Sequence, residues 1–252
     1  MSDKLPVKGS AVEDVIQPLY APIKRRSFFM YAGATAGATA LVLAGCSKND
    51  TVTPTNNAAA TDVGAGDVGV LNYAYALEQL EAAFYAQVLA GDYYTKSATA
   101  EEKQILADIA VHERIHADFF KAALIAAAPT QILKLLTPNF SSINFGDRMS
   151  VLGTARTFED LGVSAYNGAG RFITDAKYLT LAGKIVSVEA RHAALIRDLI
   201  TPNSFVSPDI VNFNLTGANA RQEKSKLPAD VLVSVNLFLA ADSQVSATKL
   251  VV

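Results

Sequence analysis

Two Glu-x-x-His pairs, Glu113 with His116 and Glu189 with His192, use two of the three histidines in this chain of 252 residues. Side chains three residues apart on a helix leave the same face, so each pair presents a carboxylate oxygen and an imidazole nitrogen to one point. Both pairs fall on rows of apolar residues with the three-four spacing of a buried helix face. A buried carboxylate without a partner is costly, and a cation is a partner that engages both groups. The pattern predicts a metal site inside a helical domain.

Two further helical segments each place one glutamate in a buried row, with a tyrosine seven residues later. They are Glu78 with Tyr85 and Glu159 with Tyr166. The order Glu…Tyr, Glu-x-x-His therefore occurs twice, which predicts two antiparallel helix pairs and a site of approximate twofold symmetry. Four helices that supply four glutamates and two histidines carry the ligand pattern of dinuclear carboxylate proteins. The predicted ligands are Glu78, Glu113, His116, Glu159, Glu189 and His192.

Some neighbouring side chains leave alternatives open. Glu81 competes with Glu78 as a ligand, although the second repeat has a glycine in the place that corresponds to Glu81, which favours Glu78. Tyr85 and Tyr166 are either core aromatics or hydrogen-bond donors to a ligand. His112 lies one turn before the first histidine ligand but on a neighbouring row. We expect it at the surface or behind a ligand, and not on the metal.

The chain resembles a known family over about residues 68–200. The runs LEQLEAAFYA, HERIHADFF, FEDLGVSAYNGAG and IVSVEARHAAL are similar to the ferritin-like domain of the desiccation-related protein family. The first Glu-x-x-His segment, and the Glu with a Tyr seven residues on, also resemble bacterioferritin and rubrerythrin. The expected fold class is thus all-α, a ferritin-like antiparallel four-helix bundle with a long crossover between helices 2 and 3.

The resemblance also implies a role for each predicted ligand. Glu113 and Glu189 would bridge two metal ions. Glu78 and Glu159 would be terminal carboxylates. His116 and His192 would each bind one of the two ions.

The N-terminal segment reads as an export signal. Two arginines, Arg25 and Arg26, precede the apolar run YAGATAGATALVLAG, which is too short to span a bilayer comfortably. The run ends in Leu-Ala-Gly-Cys, which resembles a lipobox, and Cys46 is the only cysteine of the chain. We therefore expect a twin-arginine signal peptide over 1–46 with lipid attached to Cys46. The alternative is an ordinary cleaved signal or an uncleaved anchor.

The rest of the chain divides by composition and by helix signals. Residues 47–66 are small and polar, so we expect a disordered tether there. We expect the four-helix bundle over 67–202 and an extension packed on it over 203–252.

Asp67 is expected to cap the first helix, and Thr99 with Glu102 forms a capping box for the second. The crossover at 129–148 is expected to contain a helical turn at 132–136. The third helix should span 150–167 and break at Gly168 and Gly170.

The remaining boundaries concern the fourth helix and the extension. The fourth helix should begin near Asp175 and stop at Pro202. A short helix is expected at 228–237 in the extension.

Composition and ligand chemistry limit the classes of function that the chain can have. A net charge of −2 with scattered basic residues gives no basis for nucleic-acid binding. Ligands rich in oxygen, with one imidazole per ion, suit two Fe or Mn ions. One hypothesis is an exported protein of the cell envelope, in the periplasm or at the cell surface, that handles dioxygen or peroxide in oxidative or desiccation stress. The other is a lipoprotein of the same location that binds metal or protects structure without turnover.

Overall fold

The computed structural model describes residues 60–213, 216 and 222–250, and these confirm the all-α prediction. The predicted signal peptide, Cys46 and the tether as far as residue 59 lie outside the described residues. Four long helices form an antiparallel bundle, and a fifth, short helix follows them. They are α1 (Gly66–Ala90), α2 (Ala100–Ala127), α3 (Arg148–Ala169), α4 (Ala176–Ile200) and α5 (Pro228–Val235). Within the described ranges, no helix combines the length and the apolarity needed to cross a membrane.

Helix α1 is buried on nearly all sides, which explains its apolar sequence. Every side chain from Leu71 to Glu78 is buried, and α1 packs chiefly against α2. A helix that is apolar all round belongs in the interior of a domain. At the start of α1, a Cβ on Gly69 would lie 2.4 Å from the carbonyl oxygen of Gly64, so only glycine fits there.

The predicted ends of the second and fourth helices are confirmed. Thr99 and Glu102 make both hydrogen bonds of a capping box. The side chain of Asp175 caps α4, which ends two residues before Pro202. The expectation that Asp67 caps α1 is wrong. Its carboxylate instead accepts hydrogen bonds from the backbone N–H groups of Thr174 and Asp175, and so joins the start of α1 to the start of α4.

The predicted turn of helix at 132–136 is also wrong, because side chains of α1 satisfy the backbone of this segment. The Asn72 side-chain amide donates to the carbonyl oxygen of Gln131 and accepts from the N–H of Leu133, at 2.8 and 3.0 Å. Gln79 accepts from the N–H of Leu136 at 2.9 Å. With these groups already paired, the crossover runs extended along the bundle.

Helix α3 continues through Gly168, where we expected it to break. A Cβ at this position would lie 1.7 Å from the carbonyl oxygen of Lys226, so the glycine admits the C-terminal extension and does not end the helix. The extension is fixed a second time by Arg197 of α4, which binds Asp160 at 2.6 Å and Asp209 at 2.7 Å. The short predicted helix is confirmed as α5, continued by a 3₁₀ turn at Asn236–Phe238, and α5 packs on α3.

The two ends of the described chain meet in a small parallel sheet. Strand β1 (Thr61–Asp62) pairs with β2 (Val245–Ser246). The last residues of the expected disordered tether are therefore part of the fold. Asp62 strengthens the link by accepting a hydrogen bond from the Thr248 hydroxyl at 2.6 Å.

Candidate metal centre

The four bundle helices bring all six predicted ligands together in the core. The four glutamates have no exposed surface, and the residues His116 and His192 are buried, with 9% and 3% of their surface exposed. Each helix contributes one glutamate, and α2 and α4 add a histidine one turn later. The rows of apolar residues around them exclude water, which raises the cost of leaving these groups unpaired.

The ligand atoms form two groups that share two carboxylates. One group contains Glu78, Glu113, His116 and Glu189, and the other contains Glu113, Glu159, Glu189 and His192. Within each group the ligand atoms lie within 4.8 Å of one another. Glu113 and Glu189 belong to both groups, and these are the two residues that the resemblance would make bridging ligands.

Each imidazole turns its Nδ1 atom into the centre. His116 Nδ1 lies 2.8 Å from Glu189 Oε1 and 3.5 Å from Glu78 Oε2. His192 Nδ1 lies 2.7 Å from Glu113 Oε1 and 3.6 Å from Glu159 Oε2. Each histidine thus approaches the bridging glutamate of the other Glu-x-x-His pair most closely, as the approximate twofold symmetry requires.

The two tyrosines donate hydrogen bonds to the terminal glutamates across the bundle. Tyr85 of α1 donates to Glu159 Oε1 of α3 at 2.5 Å, and Tyr166 of α3 donates to Glu78 Oε1 of α1. Both rings belong to the hydrophobic core, and both hydroxyls donate to predicted ligands, so the two alternatives that the sequence left open are compatible. Each bond occupies one carboxylate oxygen and leaves the other, Oε2, directed at the histidine of its group.

The third histidine lies behind a ligand, in agreement with the sequence. His112 is exposed, and its Nδ1 is 2.9 Å from Nε2 of His192, the nitrogen that faces away from the centre. A hydrogen bond to the outer nitrogen fixes the tautomer and orientation of a ligand imidazole. The position that corresponds to His112 in the second repeat is Val188, so the support is one-sided.

Glu81 is buried beside the centre but belongs to neither group of ligand atoms. Only 4% of its surface is exposed. Burial, and next the charge of Glu113, raise the pKa of Glu81 well above its ordinary value. Gly162 provides the space for this carboxyl, because a Cβ there would lie 3.3 Å from Glu81 Oε1. Glu78, which the repeat favours, thus lies in a group of potential ligand atoms, and Glu81 does not.

Without an ion, the charges of the centre depend on protons. Burial, reinforced by the charge of Glu189, raises the pKa of Glu78 well above 4.5, and burial raises that of Glu159 to about 8. Burial acts in the same direction on Glu113, but the adjacent imidazoles of His116 and His192 lower its pKa to about 2. Burial opposes charge on the imidazoles, yet the surrounding carboxylates raise the pKa of His116 and His192 to about 12.

The unpaired atoms of the centre are of the kind that bind metal ions. Eight buried side-chain atoms here lack a well-oriented hydrogen bond among the described residues, although each imidazole nitrogen lies 2.7 or 2.8 Å from a carboxylate oxygen. They are Glu78 Oε2, Glu159 Oε2, both oxygens of Glu113 and of Glu189, and Nδ1 of His116 and of His192. Buried polar groups are normally paired, so a cluster of this size indicates a missing partner. Six oxygens and two imidazole nitrogens are donor atoms that could hold metal.

Comparison with known proteins agrees with this geometry. A family model described as a ferritin-like domain matches residues 66–202, which include all four bundle helices and all six candidate ligands. No curated protein matches the chain.

Proposed function

Because the chain belongs to the ferritin-like domain family, we propose that its core holds a dinuclear Fe or Mn centre that reacts with dioxygen or peroxide. The observation that supports this most strongly is the set of eight unpaired buried ligand atoms, shared between two groups through Glu113 and Glu189. Four carboxylates carry about −4 of charge and two divalent ions carry +4, so the loaded centre is neutral in the core. Donors rich in oxygen favour Fe or Mn over Cu or Zn.

The side chains around the centre would orient the ligands and exclude water during this reaction. Two such ions, when bound, supply the electron change that dioxygen or peroxide requires. Tyr85 and Tyr166 hold the terminal carboxylates in one orientation, and His112 holds His192. The apolar side chains around the ligands keep bulk water out, which strengthens every electrostatic interaction in the centre.

The metal content of the folded protein tests the proposal. We expect close to two Fe or Mn ions per chain, measured by elemental analysis of protein folded with both metals present. His116→Ala and His192→Ala should each lose at least one ion, because each removes the only imidazole of one group. Glu81→Gln is the matched control, a change at a buried glutamate outside both groups, and it should keep both ions. Folded wild-type protein without metal contradicts the proposal.

The second candidate function is metal binding or structural protection without turnover, in a protein attached to the cell surface. Such a protein has the same ligands, so metal content does not separate the two. Consumption of dioxygen and of peroxide by the loaded protein does. Two bound ions with no consumption of either oxidant favour the second candidate.

We further propose that the protein is an exported lipoprotein of the desiccation-related family, with the bundle outside the cytoplasm in the cell envelope. The support is the twin-arginine segment and the Leu-Ala-Gly-Cys sequence that ends at Cys46. A twin-arginine route suits this fold, since ligands from four helices meet only after folding. Mass spectrometry of membrane fractions should find a mature chain that starts at lipidated Cys46. A soluble, unmodified chain with another first residue contradicts this.

A further inference from the structure

A small apolar cavity lies in the bundle core directly beside one end of the metal centre. Its volume is about 20 Å³, and its lining comes from α1, α2, α3 and α4. Tyr166 is one of the lining residues, and its hydroxyl donates to Glu78. The same side chain therefore borders the cavity and contacts a candidate ligand. The other lining residues include Ala74, Leu77, Phe120 and Ala182.

The cavity is a break in the twofold symmetry of the bundle. Leu106 precedes Glu113 by the same number of residues as Ala182 precedes Glu189, so Leu106 and Ala182 are equivalent positions of the repeat. By the same comparison with Tyr85 and Tyr166, Leu77 is equivalent to Phe158. At the opposite end, Leu106 and Phe158 are buried at 0% and 3% exposure. At the cavity end, Ala182 is smaller than its equivalent Leu106, and Leu77 is smaller than its equivalent Phe158. These two smaller side chains leave the space of the cavity. Accordingly, Tyr85 is 0% exposed and Tyr166 is 8% exposed.

The lining determines what can occupy this space. A volume of about 20 Å³ exceeds the roughly 10–15 Å³ that a single water needs, but a buried water also needs two to four polar partners. Only four of the fifteen lining residues have a polar side chain. The Tyr166 hydroxyl is engaged by Glu78 and the Asp67 carboxylate by Thr174 and Asp175, so the hydroxyls of Tyr73 and Tyr178 are the remaining polar groups of the lining side chains. Apolar cavities of this kind stay dry and bind apolar molecules. Peroxide, which forms several hydrogen bonds, is disfavoured for the same reason as water.

We propose that this cavity binds dioxygen and delivers it to the Glu78 side of the centre, which makes dioxygen rather than peroxide the oxidant. The delivery role rests on the proposed function, but the cavity is formed by protein side chains alone. Asp67 lines the cavity and accepts hydrogen bonds from Thr174 and Asp175. This part of the cavity wall is therefore held between α1 and the start of α4.

Xenon tests the cavity without any metal, because it is apolar and binds dry cavities. Crystals of metal-free wild-type protein under xenon pressure should show an atom between Ala182 and Tyr166. Ala182→Leu places at this position the residue that the repeat has at the opposite end, and it should abolish the xenon site. Lys184→Leu adds the same side chain to the exposed face of α4 and should leave xenon in place. Melting temperatures of both variants establish that they are folded.

The iron-loaded protein then tests delivery. Ala182→Leu should slow the oxidation of bound Fe(II) by dioxygen several-fold and leave its oxidation by peroxide unchanged, while Lys184→Leu should alter neither rate. A wild-type protein with no xenon in this cavity overturns the proposal, and so does a variant that slows both oxidants equally. If the protein holds no metal, the proposed function fails while the xenon result still decides whether the cavity binds apolar gas.

Discussion

At the scale of single residues, the two metal groups differ in what lies behind their imidazoles. Nε2 of His192 has a hydrogen-bond partner in His112, at 2.9 Å, whereas the second repeat offers Val188 where the first has His112. The ligands themselves are nearly symmetric, with shared Glu113 and Glu189. A difference between the two groups in metal affinity is therefore expected to come from this outer contact.

Replacing His112 should weaken one ion and spare the other. His112→Ala removes the partner of Nε2 of His192, and loss of such an outer contact typically costs roughly 10- to 100-fold in metal affinity. We expect the group that contains His192 to bind its ion that much more weakly, while the group that contains His116 is unchanged. Competition titration with a chelator measures both steps, and saturating metal should still give two ions per chain. Equal weakening of both steps contradicts this account.

Individual residues also show what the sequence could and could not predict about the site. The cluster of candidate ligands could be predicted because a glutamate such as Glu113 stands out in an otherwise apolar row, and the repeat favoured Glu78 over Glu81. The bonds from Tyr85 to Glu159 and from Tyr166 to Glu78 were left open, because they join α1 to α3 and depend on how the helices pack. Spacing along the sequence shows which side chains share a face of one helix, but not which side chains of another helix they contact.

At the scale of elements, one buried amide holds three segments together. Asn72 of α1 donates to the carbonyl oxygens of Val63 and Gln131 and accepts from the N–H of Leu133. It therefore joins the N-terminal segment, α1 and the crossover. The same contact explains why a helical turn was wrongly predicted at 132–136. The apolar pattern Ile-Leu-x-x-Leu is typical of helix, but side chains from another helix satisfy this backbone.

Asn72→Ala should destabilise the protein more than Gln79→Ala. The first change leaves three backbone groups without their partner, and the second leaves one. An unsatisfied buried group costs about 1–3 kcal/mol, so we expect Asn72→Ala to lower the free energy of unfolding by roughly 3 kcal/mol or more, and Gln79→Ala by about 1 kcal/mol. Urea unfolding of both variants measures this. A smaller effect for Asn72 means that the crossover is held by its apolar contacts.

At the scale of the whole molecule, the fold and the metal centre are coupled through protons. The pKa of Glu159 rises from 4.5 to about 8 on folding, chiefly through burial, and those of the two ligand histidines rise from 6.5 to about 12 against the effect of burial. A raised pKa stabilises the fold at low pH, and this stability is lost as pH rises toward the folded value. The pKa of Glu113 is lowered from 4.5 to about 2, so its contribution to stability is complete above about pH 4.5 and is lost as pH falls below that value.

Metal-free protein should therefore melt at a higher temperature near pH 5 than near pH 7. Between these values Glu159 and the two histidines each lose part of their contribution, while that of Glu113 is already complete. Added Fe(II) or Mn(II) should raise the melting temperature most at pH 7 and less near pH 5, because protons compete for the same ligand atoms. Thermal melts with and without metal across this range measure both effects. No effect of metal at pH 7 would show that these side chains do not form a metal site.

The way the ligands are divided among the helices has a consequence for chain topology. Helix α1 packs chiefly on α2 and α3 on α4, and contacts between the two pairs are few. Each group of ligands nevertheless draws on both pairs, as when Glu78 and Glu189 approach the same imidazole. An ion bound there is a cross-link that closes a long loop of chain, in a described region that contains no cysteine. The two ions would thus restrict the unfolded chain much as disulfides do in other proteins.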